Sequence, residues 1–338
     1  MIIRPVKTGV QEETMNRVSR RACLATLGGA AAAASLPSFA RAQNRTGADA
    51  PTILPPDPNT KTPAYKAPAG AVDAHTHIFG PGSKYPYAAS RSYTPPDAPL
   101  EMFEALHAKI GIERAVLVNA TVHGLDNRVI TDAIAQSNGR YKGIANVDDT
   151  ITDKELQALT DAGMKGCRFT FLGRLGGRPD MTKFHRIVDR IKAYGWHVDL
   201  YLEPEIIEEF VPILRALPLP YVIDHMGTVK ASGGLEQKPF VALVELMRTD
   251  EKGWIKITGP ERLSVAGSPF HDAVPFAQAL IAAAPDRCLW GTDWPHPNVK
   301  VMPNDGVLVD LIPLYAPDVA QQHRLLVDNP VRLFGFSS

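Results

Sequence analysis

The chain has 338 residues, enough for one large domain or two ordinary ones. Hydrophobic residues make up 45% and charged residues 21%, an ordinary globular balance. Lys+Arg and Asp+Glu are equal at 36 each, so neither nucleic acid nor a membrane surface is indicated as the main partner, and any basic residue that matters acts locally.

The first stretch reads as an address rather than as fold. Ser19-Arg20-Arg21-Ala22-Cys23-Leu24 resembles a twin-arginine signal, an apolar run from Leu24 to Leu36 follows, and Ala40-Arg41-Ala42 fits an A-x-A cleavage site. Residues 1–42 are therefore expected to be a signal peptide read by the twin-arginine export machinery, which carries folded proteins to the periplasm. Gln43 would begin the mature chain, and the true start is either Met1 or Met15. The apolar run is too short to anchor the protein in a bilayer. Residues 43–69 are Pro-rich and predict an extended linker. With Cys23 removed, Cys167 and Cys288 remain, too few for a disulfide framework.

From Gly70 on, strand-like and helix-like segments alternate. Strands are predicted at Ala71–His77, Arg114–Ala120, Lys142–Val147, Gly166–Phe171, Trp196–Leu202, Tyr221–His225, Trp254–Thr258 and Cys288–Asp293. Helices are predicted at Leu125–Asn138, Asp153–Ala162, Met181–Tyr194, Pro204–Leu217, Lys238–Thr249, Pro269–Ala284 and Asp318–Leu326, several of them ending at Gly or Asn-Gly. A long Pro- and Tyr-rich loop follows the first strand. Eight β/α units over residues 70–338 match a single-domain TIM (β/α)8 barrel. A doubly wound sheet would carry a Gly-rich phosphate-binding first turn, and the turn here is HTHIFGPG.

Side chains alternate across a strand, so each strand predicts an inward set. These are Asp73, His75 and His77; Asn119 and Thr121; Asn146 and Asp148; Arg168 and Thr170; His197, Asp199, Tyr201 and Glu203; Tyr221, Ile223 and His225; Lys256 and Thr258; and Leu289, Gly291 and Asp293. The polar members gather at carboxyl ends, where a barrel carries its site. His75, His77, His225 and Asp293 converge if strands one and eight are neighbours. Two imidazoles side by side can be metal ligands or donors aimed at one oxygen. Arg168 on an inward face calls for an anion; its other reading is a pair with Asp148 or Asp199.

The sequence resembles the amidohydrolase superfamily, in its lactonase-like branch. The matching stretches are VDAHTH, RSYTPPDA, HGLDNR, CRFTF, DHMG, GPERLS, GTDWPHPN and VDNPVRLFGF, together spanning Val72 to Phe336. Within the branch the set is most similar to the 2-pyrone-4,6-dicarboxylate lactonases, which hydrolyse a cyclic pyrone diacid. The resemblance implies Asp293 as the base that activates water. It implies His75, His77 and His225 as groups that polarise the lactone carbonyl and stabilise the oxyanion. Arg168, Arg174 and Arg262 would hold substrate carboxylates, helped by Tyr93, Thr121, Tyr201 and His296. Aldonolactone or sulfomuconolactone hydrolysis and lactone isomerisation are alternatives within the branch; a metal-dependent decarboxylase and a non-catalytic carboxylate-binding barrel lie further off.

His75, His77, His225 and Asp293 are also the ligand types of a catalytic zinc or manganese site. Many superfamily members hold two ions bridged by a strand-four lysine or glutamate; Arg168 and Thr170 stand there instead. Mononuclear members often use a strand-five histidine, where Tyr201 stands here and His197 lies too deep. The expectation is metal-free catalysis on a small anionic lactone, with one Zn or Mn ion as the alternative.

Overall fold

The computed structural model describes residues 47–337. The export signal at 1–42 and the first linker residues, 43–46, lie outside the described residues. Strands β1 (Val72–Thr76), β2 (Arg114–Val118), β3 (Tyr141–Ala145), β4 (Met164–Thr170), β5 (His197–Tyr201), β6 (Tyr221–Ile223), β7 (Gly253–Ile257) and β8 (Cys288–Trp290) form one eight-stranded sheet in sequential order, each consecutive pair parallel. The helices α1 (Leu100–Ile110), α2 (Arg128–Gln136), α3 (Asp153–Asp161), α4 (Met181–Ile191), α5 (Ile207–Ala216), α6 (Lys238–Thr249), α7 (Pro260–Leu263) and α8 (Val274–Ala283) fall between strands, and α9 (Asp305–Asp310), α10 (Ile312–Tyr315), α11 (Val319–His323) and α12 (Asn329–Phe334) follow β8. This is the expected TIM-barrel plan.

The barrel closes just beyond β1 and β8. Asp293 N–H donates to His75 O at 2.8 Å, and His77 N–H donates to Trp294 O at 2.7 Å. Gly291 permits the approach, since a Cβ there would lie 2.6 Å from the His75 nitrogen. These bonds draw Asp293 to the H-x-H pair.

Two apolar layers hold the plan together. Val72, Ala74, Val116, Val118, Ile144, Val222 and Leu289 fill the interior toward the strands' amino ends with Phe334 and Phe336. Leu117, Val198, Leu200, Ile223 and Ile257 face outward onto Phe103, Ile130, Phe184, Phe210, Leu243 and Leu280 of the helices. Strands covered on both faces become apolar throughout except where a site interrupts them.

The structure departs from the predicted faces at three strands. In β1 the register slips, with four residues from Asp73 to Thr76 set against three from Ala115 to Leu117. Such a bulge re-aims the side chains beyond it. Asp73 turns toward α1, within 3.4 Å of His107, and accepts from Thr292; His75 and His77 go inward without it. After β2, Asn119 leaves the interior and donates to Asn127 at 2.9 Å, beside the start of α2. In β6, Val222 and Asp224 point inward while Tyr221 and Ile223 join the outer layer. His225 still reaches the site because the strand has ended, and left-handed backbone at His225 and Met226 (φ 50° for both) reverses the alternation.

Helix α1 completes the first β/α unit, for which no helix bounds were predicted; its buried residues Phe103, Leu106, His107 and Ile110 have helical spacing, and Gly111 ends it at φ 75°. The described part of the linker is pinned to the barrel domain. Ala64 and Tyr65 N–H donate to Asp310 at 2.7 and 2.9 Å, and Lys61 pairs with the same carboxylate at 2.6 Å.

Candidate active site

The strand ends and the loops beyond them place His77, Tyr93, Thr121, Arg168, Arg174, Leu175, Tyr201, His225, Arg262, Asp293, Pro297 and Asn298 around one narrow pocket. Its free volume is ≈ 20 Å³, the order of a single water. It shares Arg174, Tyr201, Arg262 and Asn298 with a neighbouring cavity of ≈ 720 Å³. The two spaces meet at this shared wall.

Asp293 sits at the centre, on left-handed backbone (φ 67°) just past β8. Its Oδ2 accepts from Arg262 Nε at 2.9 Å and Nη2 at 2.6 Å. Its Oδ1 makes no hydrogen bond and lies 3.4 Å from His77 Nε2 and 3.6 Å from His75 Nε2. Burial pushes this carboxyl upward, but the Arg262 guanidinium beside it outweighs that and holds the group well below the usual carboxylate range. The result is an ionised carboxylate with one oxygen clamped and the other available.

The histidines differ in their supports. His77 Nδ1 lies 2.7 Å from Val118 O, an acceptor only, so Nδ1 carries a hydrogen. His75 is buried beneath, its Nδ1 3.0 Å from Lys256 Nζ and 3.2 Å from Asp224 Oδ1. Burial and Lys256 lower it to about 4, so it is neutral at physiological pH. His225 Nδ1 is 2.8 Å from Thr258 Oγ1, and burial keeps this imidazole neutral as well.

Beneath the pocket lies a charge cluster whose partners no local pattern pairs. Asp224 accepts from Arg168 Nε at 2.9 Å and lies 3.2 Å from Lys256, whose ammonium also donates to Asp199. Arg168 therefore pairs with neither Asp148 nor Asp199. It lies 4.8 Å over the Tyr201 ring, 6% exposed, and lines the pocket. Alternation flagged Lys256 and Asp199 as inward, but nothing local says whom they meet.

The remaining named residues divide. Arg174 donates to Tyr201 Oη at 3.1 Å, and Thr121 and the buried Tyr93 hydroxyl, pushed up to about 12 by burial, line the pocket beside them. Arg262 is first a partner of Asp293 and also donates to Pro297 O at 3.0 Å. His296 does not line the pocket: its Nε2 lies 3.0 Å from Asp305 and its Nδ1 4.0 Å from the buried Glu261.

The same groups include the ligand types of a metal site. His75, His77 and Asp293 offer ligand atoms within 4.8 Å of one another, while His225 groups instead with His75 and Asp224. The spacing suits a single divalent ion. The charge opposes it, because Asp199, Asp224 and Asp293 are already matched by Lys256, Arg168 and Arg262. Strand β4 supplies no bridging ligand for a second ion.

The amidohydrolase family model matches residues 72–336, and the chain belongs to that family. It is 45% identical over 285 residues to a 2-pyrone-4,6-dicarboxylate hydrolase of Comamonas testosteroni, covering 82% of this chain and 93% of that one. It is 44% identical over 276 residues to a 4-sulfomuconolactone hydrolase of Rhizobium radiobacter, covering 80% and 92%. A crystal structure from Acinetobacter baumannii with citric acid bound superposes with a TM-score of 0.70 at 26% identity, covering 79% of this chain and 100% of that one.

Proposed function

We propose that the chain hydrolyses a carboxylated lactone, of the type of 2-pyrone-4,6-dicarboxylate, using its own side chains. The observation that carries this reading is the unpartnered Oδ1 of Asp293 facing two imidazoles, inside a pocket lined by Arg168, Arg174 and Arg262. The relatives that act on a pyrone diacid and on a sulfonated lactone support an anionic cyclic ester as substrate.

In this reading a water donates one proton to Asp293 Oδ1 and is held by His77 Nε2. Its oxygen attacks the lactone carbonyl carbon, Asp293 takes the proton, and negative charge develops on the carbonyl oxygen. His75 and His225 stabilise that oxygen. The ring C–O bond then breaks, and the proton held by Asp293 goes to the departing ring oxygen. A positioned base contributes ~10²–10⁴-fold, and donors placed for the oxyanion act strongly in a site closed to water. Arg168 and Arg174 hold the substrate's acid groups, since a planar guanidinium meets a carboxylate with parallel hydrogen bonds. Tyr93, Thr121 and Tyr201 add neutral contacts, and Arg262 orients Asp293 while lining the same wall.

A single Zn or Mn ion on His75, His77 and Asp293 would supply Lewis-acid polarisation of the carbonyl; the matched charges favour the metal-free route. The export signal, if cleaved near Ala42, would place this chemistry in the periplasm.

The test is a steady-state comparison of the pyrone diacid, a monoacid analogue and a neutral lactone. The reading expects kcat/KM to fall stepwise as acid groups are removed. Equal values across the series would refute an arginine-held diacid.

A further inference from the structure

Lys256 is completely buried on β7, on the floor of the site. Its ammonium donates to Asp199 Oδ2, lies 3.2 Å from Asp224 Oδ1 and stands 3.0 Å from His75 Nδ1. An ammonium has hydrogens and no lone pair, so it can only donate. The ring nitrogen that receives it must carry a lone pair, which leaves His75 with its hydrogen on Nε2, the atom 3.6 Å from Asp293 Oδ1.

The competing arrangement would put the hydrogen on Nδ1 and donate it to Asp224 Oδ1 at 3.2 Å. That would press an N–H against the lysine ammonium. The contact at Asp224 is also the longer one, 3.2 Å against 3.0 Å to Lys256. His77 has the opposite arrangement, with Nδ1–H donated to the Val118 carbonyl, so its Nε2 accepts.

We propose that Lys256 is a positioning residue that fixes His75 as its Nε2–H tautomer, so that the H-x-H pair presents one donor and one acceptor instead of two metal-ligating lone pairs. The inference rests on the metal-free reading of the hydrolase site and supplies its cause. A metal-binding imidazole presents a bare nitrogen and donates from the other one; His77 meets that condition and His75 does not. His77 accepts from the attacking water, and His75 donates to the developing oxyanion.

The test is long-range proton–nitrogen NMR on histidine-labelled protein, the His75 signals being assigned by their loss in His75→Gln. The expected result is the Nε2–H form for His75 and the Nδ1–H form for His77. A His75 in the Nδ1–H form would overturn the proposal. A second measurement is zinc retained after equilibration and dialysis, in the native chain and in Lys256→Met/Asp199→Asn, which removes one charge of each sign. Zinc affinity should rise in the double variant by about 10–100-fold, the range over which supports behind a ligand act; unchanged affinity would overturn the proposal. Should the variant fail to fold, the tautomer in the native chain decides. Neither readout involves a substrate, so failure of the lactone reading would be seen separately.

Discussion

Arg262 binds Asp293 through one oxygen only, with Nε at 2.9 Å and Nη2 at 2.6 Å from Oδ2, and leaves Oδ1 turned toward His75 and His77. The pair explains how a buried carboxylate stays ionised and still has a free acceptor. Arg262 lies on the short α7 after β7 and Asp293 just beyond β8, with α8 between them in the chain.

Replacing Asp293 by Asn removes the base and keeps the shape. Turnover should fall by at least the ~10²–10⁴-fold of a positioned base, while substrate binding, read by calorimetry, persists. Retained turnover would remove Asp293 from the base role.

Arg262→Met should shift the pH profile as well as the rate. Arg262 holds the Asp293 carboxyl down against burial. Without it, burial dominates and the carboxyl titrates at higher pH. The acid limb of kcat/KM should therefore move upward. A uniform loss of rate with an unmoved acid limb would contradict the assignment.

Arg168→Met should raise KM strongly for a diacid and little for a neutral lactone. A charged hydrogen bond is worth roughly 1.5–3 kcal/mol, or ~10–100-fold. Equal effects on both substrates would mean that Arg168 serves mainly as the partner of Asp224.

The buried cluster makes stability depend on pH and on Lys256. Burial raises Asp224 and Asp199, but Lys256, with Arg168 at Asp224, outweighs it, so both fold with lowered values. Their stabilisation is present above the unfolded value of about 3.9 and is lost as pH falls through the lower folded values. The urea midpoint should hold above about pH 5 and drop below about pH 4. Lys256→Met, which strands buried carboxylates, should cost about 3–5 kcal/mol, and adding Asp199→Asn should recover part of it. A midpoint unaffected by Lys256→Met would contradict the cluster.

Much of this was legible in the sequence, and the exceptions have physical causes. Alternation found Arg168, Asp199 and Lys256 because β4, β5 and β7 run regularly, and it reached Asp293 although that residue lies past β8 on left-handed backbone. It failed at Asp73, where β1 bulges, and at Tyr221 and Ile223, where β6 ends early and left-handed backbone carries His225 inward. Charge pairing was not legible at all: Asp224 meets Arg168, His75 and Lys256 across strands β4, β1 and β7, and no local pattern reports that. The same limit hid the turn of His296 away from the pocket onto Asp305.

The most direct measurement of the central claim is turnover of 2-pyrone-4,6-dicarboxylate by protein stripped with a strong chelator and shown by elemental analysis to be free of zinc and manganese. An undiminished kcat is the expected result. Loss of activity on stripping, restored in proportion to added zinc or manganese, would contradict it.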